Sequence, residues 1–389
     1  MWAEYSVRRQ GASRRVRLGW TAHQGAPGRD GPGGARDGGG AEAAGGLVSF
    51  APSRYKQEKS EDAVPSAESA ARVDVAVNIF AKPYQTALSL LSLLRASGPH
   101  VGVVYLQFEP YGSEHDAVSP YLVAAWLTEQ LGPERCRVFQ PDYWLDLNAA
   151  DVRRLHDPAY RYGIRYQYAF EHSEARLLFL MHNDVFVQRD ILGAMLAARG
   201  EAFAIGHLGQ CWNCPASRPE LMRDLFDLPP CGPGRQEDFR PDYAQLCALY
   251  ALAGERGVFV RPYPEGFAGI FDRQPWPLPE CRINEWACLL DLERTRPLTL
   301  PLGPALPPGA YRQCGPVCLD IGVEWFRAMY AHGLHARHFP VADYLKHWVG
   351  TGKVTRRRYL LAEDNALALL KRHFPAYVDW LRRKSGKDV

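Results

Sequence analysis

The stretch RLLFLMHNDVFVQRD, residues 176–190, interrupts an apolar run with three polar side chains. Residues 177–181 are all apolar and residues 185–187 are apolar again, which is the pattern of a buried strand. The triplet His-Asn-Asp at 182–184 stands between the two runs. Burying an unpaired carboxylate is costly, so this triplet requires a partner that offsets the cost.

The segments around this stretch alternate between strand-like and helix-like patterns from residue 73 onward. Apolar runs rich in β-branched residues are bounded by Gly or Pro, and the segments between them carry apolar residues at helical spacing. Such alternation predicts an α/β fold with a Rossmann-type, mainly parallel sheet flanked by helices. The pattern predicts strands at 73–81, 101–110, 136–141 and 175–187, and helices at 82–98, 118–132 and 157–173.

The regular alternation ends near residue 205, and an irregular part rich in Cys, Trp and Pro follows. Its pattern predicts short helices at 282–294 and 317–333 and an amphipathic helix at 363–384. The sequence therefore divides the body into an α/β half over 73–205 and an irregular, helix-rich half over 206–389.

Residues 1–72 form a Gly- and Ala-rich extension with few apolar anchors, and this composition predicts disorder. Eleven of the 46 Lys and Arg and eight of the 43 Asp and Glu lie there, so the remaining chain carries 35 residues of each sign. A body without net charge lacks the basic bias expected of a protein that binds nucleic acid or anionic membranes.

No segment of the sequence marks export or membrane insertion. No apolar run reaches the roughly 20 residues of a membrane span, and the first residues lack the apolar core of a signal peptide. We therefore interpret the nine Cys as thiols in a reducing, cytoplasmic compartment, where they serve as buried apolar groups, metal ligands or nucleophiles.

Ligands of an open parallel sheet bind at the carboxyl ends of its strands, where His182, Asn183 and Asp184 are expected. A divalent cation would offset the cost of burying Asp184, and Asp together with His suits Mn²⁺ or Mg²⁺. The alternative is a strand end whose polar residues cap the next helix, with Asp190 at the N-cap.

Residues 73 to about 200 resemble GT-A-type glycosyltransferases, the family-2-like enzymes that use nucleotide sugars. The resemblance rests on VNIFAKPYQTALSLLSLL, on VYLQFEP and on HND. It implies that Ala81 and Lys82, between the first strand and its helix, border the nucleotide. It also implies that Glu109, at the end of the second strand, lies near the uridine or ribose.

The resemblance aligns HND with the Asp-x-Asp motif that holds the metal on the donor diphosphate. Asp184 matches the second Asp, whereas His182 stands where the first Asp is expected, and His can itself ligate Mn²⁺. A C-terminal His ligand on a loop over the diphosphate is also implied, and His347 with the GTG-Lys353 segment after it matches that pattern. Glycines let a backbone approach phosphate and basic residues complement its charge; the alternative is a basic surface loop.

Further site residues follow from the same resemblance. Arg161 and Arg165 precede the fourth strand, where a basic residue often contacts the nucleotide, and Arg binds phosphate in a bidentate manner; the alternative is a solvated helix face. The acidic base beside the acceptor has two candidates, Glu285 and Asp320, both expected on helices. Glu285 is preferred because the adjacent Trp286 can stack on a sugar ring; the alternative is a carboxylate favoured at a helix start by the helix dipole.

The stretch QCWNCP places Cys211 and Cys214 at a C-x₂-C spacing that suits tetrahedral Zn²⁺. Cys231 is a third candidate ligand, with Cys247 or Cys281 as the fourth, but no second C-x₂-C follows. The alternatives are buried free thiols and a redox pair. A redox pair is expected to open a helix, whereas a proline follows this one.

Together these features predict a metal-assisted glycosyltransferase of the hexosyltransferase type. It would move a sugar from a nucleoside diphosphate sugar to a hydroxyl of a glycan or other acceptor, with inversion by direct displacement. Because His182 replaces an Asp, the alternative is a non-catalytic GT-A-fold protein that binds sugar or nucleotide or acts as a scaffold. A dehydrogenase is disfavoured, since AKPY stands where the Gly-rich dinucleotide turn is expected.

Overall fold

The computed structural model describes residues 5–9, 12–16, 72–109, 112–145, 149–258, 269–314, 317–347, 355–387 and 389. The chain divides into two compact units, Met1–Val64 and Pro65–Val389. In the first, strands β1 (Tyr5–Arg9) and β2 (Ala12–Val16) form an antiparallel hairpin. The predicted disorder of residues 1–72 falls mainly outside the described residues and stays a prediction, as does the division of the body at residue 205.

The second unit alternates strands and helices in its first half and is less regular in its second. Its strands are β3 (Val73–Ile79), β4 (Val101–Phe108), β5 (Cys136–Phe139), β6 (Leu177–His182), β7 (Val185–Val187), β8 (Ala204–Leu208), β9 (Ile283–Asp291), β10 (Arg312–Cys314), β11 (Val317–Leu319), β12 (Ala336–His338) and β13 (Leu345–His347). Its helices are α1 (Pro83–Ser97), α2 (Tyr121–Leu131), α3 (Pro158–Arg161), α4 (Gln167–His172), α5 (Ile191–Ala198), α6 (Pro219–Phe226), α7 (Tyr243–Glu255), α8 (Leu292–Thr295), α9 (Val323–Ala331), α10 (Arg356–His373) and α11 (Pro375–Ser385).

A seven-stranded sheet with the order β12-β8-β9-β6-β3-β4-β5 organises this unit. Its strands are parallel except β9, which runs antiparallel to both β6 and β8. The predicted α/β fold with a mainly parallel sheet flanked by helices is therefore confirmed. The carboxyl ends of β3, β4, β6 and β8 share one edge of the sheet, and the antiparallel β9 brings its first residues to that same edge.

Helices cover both faces of the sheet, so its central strands are apolar on both sides. All seven residues of β3 are buried. Val75 and Val77 pack with α1 on one face, whereas Ala76 packs with Phe170 and α9 on the other, as the alternation of side chains along a strand requires. Because the central strands are buried on both faces, their sequences are continuous apolar runs.

Several sequence-predicted elements differ from the structure. Residues 283–291, predicted as part of a helix, form β9, because hydrogen bonding to β6 and β8 on its two sides outweighs the ambiguous apolar pattern. The helix predicted over 157–173 is broken into α3 and α4, and Tyr166 between them has a φ of 65°. The strand predicted over 175–187 is interrupted at residues 183–184, so that β7 separates from the sheet and pairs with β13.

The Asp190 side chain accepts a hydrogen bond from the Gly193 N–H and so caps α5, which is the helix cap of the alternative interpretation of this stretch. Among the described residues, no helix combines the length and apolarity needed to cross a membrane.

Helix α10 packs along α1 and supplies the cap that α1 lacks in its own sequence. The N-cap position of α1 makes no side-chain capping bond. Instead, the Glu363 carboxylate accepts hydrogen bonds from the Tyr84 N–H at 2.9 Å and from the Gln85 N–H at 3.1 Å. Because these amide groups have no partner within the helix, Glu363 ties the C-terminal part of the chain to the start of α1.

This buried cap makes stability depend on pH. Burial raises the pKa of Glu363 from 4.5 to about 7. Between these values the folded state keeps a proton that the unfolded state has lost, so the stabilisation present below pH 4.5 is lost as pH rises towards 7. The loss is on the order of 3 kcal/mol for a shift of this size.

We therefore expect Glu363→Gln to reduce the decline in unfolding free energy between pH 4.5 and 7, because Gln does not titrate. Urea denaturation at several pH values measures the decline. Asp364→Asn is the matched control, since Asp364 is the exposed neighbour on α10 and its loss changes the net charge equally. Parallel curves for the wild type and Glu363→Gln would contradict the assignment.

Candidate functional site

Three side chains of metal-ligand type converge where β6 and β13 end. His182 ends β6, Asp184 lies in the turn before β7, and His347 ends β13. Their ligand atoms all lie within 4.8 Å of one another. His347 Nε2 is 3.2 Å from Asp184 Oδ1 and 3.3 Å from His182 Nδ1. One carboxylate oxygen and two imidazole nitrogens suit a first-row divalent cation, so the structure brings together the three predicted metal ligands.

Asp184 is held ionised although its side chain is only 2% exposed. Its second oxygen, Oδ2, accepts a hydrogen bond from Lys82 Nζ at 2.8 Å. Burial alone would raise the pKa of this carboxyl, but the bond with His347 and the positive charges of Lys82 and His182 outweigh burial and lower the pKa below its usual range. Asp184 is therefore already deprotonated at neutral pH and can bind a cation without releasing a proton.

The backbone that carries Lys82 is held in an uncommon conformation. Ala81 and Lys82 have φ values of 51° and 57°, in the left-handed region that non-glycine residues rarely adopt. The Lys82 N–H donates to the Tyr359 hydroxyl at 2.9 Å, and Asn183 Nδ2 donates to the Ala81 carbonyl at 3.4 Å. Such strain persists where surrounding contacts over-determine it, and here it directs the Lys82 ammonium towards Asp184. Asn183 thus supports this turn and caps no helix.

The start of β9 brings a second charged group to the triad. Glu285 Oε1 lies 3.7 Å from His182 Nε2, the ring nitrogen opposite the one that faces Asp184. Arg282 Nη1 donates to Glu285 Oε2 at 2.6 Å, and Arg282 Nη2 donates to Asp320 Oδ2 at 2.9 Å. The two candidate bases therefore lie on one buried guanidinium, whose side chain is 3% exposed. Burial alone would raise the pKa of Glu285, but Arg282 and His182 outweigh it and lower the pKa.

The surroundings of these carboxylates differ from the sequence-based expectation. Glu285 lies on β9, and Asp320 lies in the connection between β11 and α9, so neither is within a helix. Arg282, which holds both acids, is not among the residues predicted from the sequence. Its signal in the sequence was the charged pair Arg282 and Glu285 on either side of Ile-Asn, at the start of an apolar run.

At the end of β4, Glu109 also joins this edge of the sheet. Its Oε1 accepts a hydrogen bond from Asn78 Nδ2 at 2.7 Å and lies 3.4 Å from Arg165 Nη2. The Arg165 guanidinium also lies over the Trp144 ring, 5.6 Å from its centroid. Arg165 is 24% exposed, so it presents a positive charge beside the predicted nucleotide-binding residue Glu109.

The Arg161 guanidinium is not available to bind a phosphate. Its guanidinium donates two hydrogen bonds to Glu171, at 2.6 and 2.9 Å, and one to the Leu155 carbonyl at 2.7 Å. The side chain is 4% exposed. Arg161 therefore stabilises the packing of α3 against α4, and we withdraw it as a phosphate ligand. Lys353 lies outside the described residues.

The cysteines predicted as zinc ligands form no disulfide in the structure. Within the described part of the chain, only the His-Asp-His triad forms a convergent group of three metal-ligand atoms, so Cys211, Cys214 and Cys231 do not form one. The hydrogen bond with Cys281, together with burial, raises the pKa of Cys214 well above its usual value, and burial raises that of Cys231 to about 12. The geometry is that of buried thiols, and the zinc site stays a prediction from the sequence.

No protein-family model and no curated protein matches the chain. Among solved structures, it is similar to mouse xyloside xylosyltransferase 1, with 13% identity over 73% of this chain and 100% of the other and a TM-score of 0.33. It is also similar to the mannosyltransferase PcManGT from Pyrobaculum calidifontis, solved with GDP-Man and Mn²⁺, with 12% identity over 85% and 84% and a TM-score of 0.33.

A third similarity is to the mannosyltransferase Ktr4p from S. cerevisiae, solved with GDP, with 11% identity over 72% of this chain and 66% of the other and a TM-score of 0.30. All three are glycosyltransferases.

The cysteine assignment predicts a pattern of alkylation. In the folded protein at neutral pH, we expect iodoacetamide to modify the exposed Cys318 and to leave the buried Cys214, Cys231 and Cys288 unmodified, because buried protonated thiols are poor nucleophiles. Peptide mass spectrometry measures each site, and alkylation in urea is the control for reagent access. Labelling of Cys288 as fast as Cys318 would contradict the structure.

Proposed function

We propose that this chain transfers a sugar from a nucleoside diphosphate sugar to an acceptor hydroxyl, with a divalent cation held by His182, Asp184 and His347. The observation that carries the proposal is the convergence of these three ligands at the carboxyl edge of a mainly parallel sheet. That edge is where open α/β sheets bind their ligands.

The ligand set fits Mn²⁺ better than Mg²⁺. Two imidazoles and one carboxylate include nitrogen donors, which Mn²⁺ accepts and which Mg²⁺ binds reluctantly. When bound, the cation supplies Lewis-acid stabilisation of the charge on the departing diphosphate. The Lys82 ammonium, 2.8 Å from Asp184 Oδ2, balances the carboxylate while no donor is present and adds positive charge next to the diphosphate when one is.

Other groups at the edge are proposed to bind the donor. Arg165 lies 3.4 Å from Glu109 and is partly exposed, so its guanidinium can bind a phosphate oxygen of the donor. Glu109 can accept a hydrogen bond from a ribose hydroxyl. Ala81 belongs to the strained turn that fixes Lys82. The contact of Lys353 with the diphosphate stays a prediction from the sequence.

For the chemical step we propose Asp320 as the base. The acceptor oxygen forms a bond to the anomeric carbon, the bond from that carbon to the diphosphate oxygen breaks, and the acceptor proton passes to the carboxylate. Asp320 is 28% exposed, whereas Glu285 is 17% exposed and lies between Arg282 and His182. Glu285 suits a different role, since a carboxylate beside the far nitrogen of a ligating His orients the ring.

The cation site is tested by Asp184→Asn. We expect UDP or GDP to bind the wild type more tightly with Mn²⁺ than without it, and the variant to lose this gain, by at least about tenfold in Kd, because the charged ligand is gone. Titration calorimetry measures both. Asp190→Asn is the control, since it makes the same substitution at a residue that is not a proposed metal ligand, and Asn keeps a side-chain oxygen that caps α5.

Failure of every nucleotide to bind the wild type would overturn the proposed function. Unchanged Mn²⁺ dependence in Asp184→Asn would remove Asp184 from the cation site.

The base is tested by donor hydrolysis, in which water replaces the acceptor. Across a panel of UDP- and GDP-linked sugars, we expect Asp320→Asn to lower kcat by roughly 10²- to 10⁴-fold with little change in nucleotide Kd. Glu285→Gln is expected to weaken Mn²⁺ binding and to lower kcat less than Asp320→Asn does. A larger loss of kcat in Glu285→Gln, with Mn²⁺ binding intact, would reverse the two roles.

Binding of nucleotide without hydrolysis of any donor would instead support the alternative, a non-catalytic protein of this fold. The observation in its favour is that Lys82 already pairs with Asp184, so the carboxylate is balanced without a cation.

A further inference from the structure

A row of four aromatic rings runs from the His-Asp-His triad to the protein surface. The Trp286 ring stacks on the His347 imidazole, with centroids 4.9 Å apart and an interplanar angle of 4°. His207 lies 6.2 Å from Trp286, and Trp212 stacks against His207 at 6.1 Å and 27°. The row therefore begins at a proposed metal ligand and ends at Trp212.

Trp212 is exposed but not loosely held. Its side chain is 54% exposed, more than any other aromatic residue among the large exposed apolar residues that the structure describes. The turn that carries it is closed by a hydrogen bond from the Asn213 N–H to the Gln210 carbonyl at 2.9 Å, and Arg218 Nη2 donates to the Trp212 carbonyl at 3.1 Å. A fixed, exposed indole offers a large rigid contact surface at low entropic cost.

The same turn reaches the proposed base. Gln210, two residues before Trp212, donates through Nε2 to Asp320 Oδ2 at 3.3 Å. The turn is also joined to the residues before β9, because the Gln210 N–H donates to the Glu280 carbonyl at 2.7 Å. Gln210 thus joins the turn of Trp212 to Asp320, and the row of rings joins Trp212 to the triad.

We propose that Trp212, with Trp286 behind it, forms the acceptor subsite, and that the acceptor is a neutral saccharide. This inference rests on the proposed function. A pyranose presents a C–H face that packs on an indole and a rim of hydroxyls that requires hydrogen bonds. The exposed indole provides the first surface, and the His207 and Asp320 side chains provide polar partners for the rim.

The charges along the row favour a neutral ligand. Burial, together with the neighbouring His338, lowers the pKa of His207, and burial lowers that of His338. Both imidazoles are therefore uncharged at neutral pH and can donate or accept a hydrogen bond from a hydroxyl. Asp320 repels an anionic group, so a phosphorylated or carboxylated acceptor is disfavoured.

The test uses the full chain, saturated with Mn²⁺ and UDP or GDP, and the methyl glycosides of glucose, mannose, galactose, xylose and N-acetylglucosamine as probes. Saturation-transfer NMR and calorimetry measure their binding. We expect at least one glycoside to bind, Trp212→Ala to weaken it by roughly tenfold, and Trp212→Phe to retain most of the affinity, because a ring remains. Leu302→Ala, which removes another exposed apolar side chain, is expected to change nothing.

The outcomes separate this inference from the proposed function. Normal nucleotide binding with no glycoside bound, or with equal affinity in Trp212→Ala and the wild type, overturns the acceptor subsite and leaves the donor site standing. Loss of glycoside binding in Trp212→Ala, with unchanged nucleotide Kd and an unchanged melting temperature, supports it. Absence of nucleotide binding in the wild type overturns the proposed function, and the acceptor subsite with it.

Discussion

The buried charge of Asp184 is the constraint around which the site is arranged. A carboxylate that is 2% exposed cannot keep its charge without compensation. Lys82 pairs with one oxygen and His347 with the other. This pairing explains the strained turn at Ala81 and Lys82 and the hydrogen bond from Asn183 to Ala81. Both hold the Lys82 ammonium in place. Of the groups that stabilise the charge, His347 also belongs to the proposed cation site.

The antiparallel strands β9 and β13 add charged and metal-ligand side chains to the carboxyl edge of the sheet. Parallel strands alone bring Lys82, Glu109 and Asp184 to the carboxyl edge, all from the first half of the body. Strand β9 enters from the opposite direction and adds Arg282 and Glu285 at its beginning. Strand β13 pairs antiparallel with β7 and adds His347. The site is thus built where two halves of the sequence meet at one edge.

The sequence allowed the strands β3 to β6 and the candidate ligands His182 and Asp184 to be predicted, because doubly buried strands are continuous apolar runs and a polar triplet after one stands out. His347 was implied only by the resemblance to GT-A-type enzymes. Strand β9 was mistaken for a helix, since a short apolar run bounded by charges fits both periods. Arg161 was misassigned because nothing in the sequence marks Glu171 as its buried partner. The zinc site stays a prediction, because spacing gives ligand identity but not the convergence of sulfur atoms. Arg282 was missed because its role exists only after β9 and the Asp320 connection meet.

The capping of α1 by Glu363 has a consequence for the order in which the fold is completed. The bonds that hold the site and the cap join residues far apart in the sequence, 163 positions for Asp184 and His347 and 279 for Tyr84 and Glu363. During synthesis the N-terminal part of a chain emerges and folds first. The sheet strands β3 to β6 thus exist for some time with Asp184 lacking His347 and α1 lacking its cap. A nascent chain stopped before β13 would have all seven strands of the sheet but neither His347 nor the residue that caps α1.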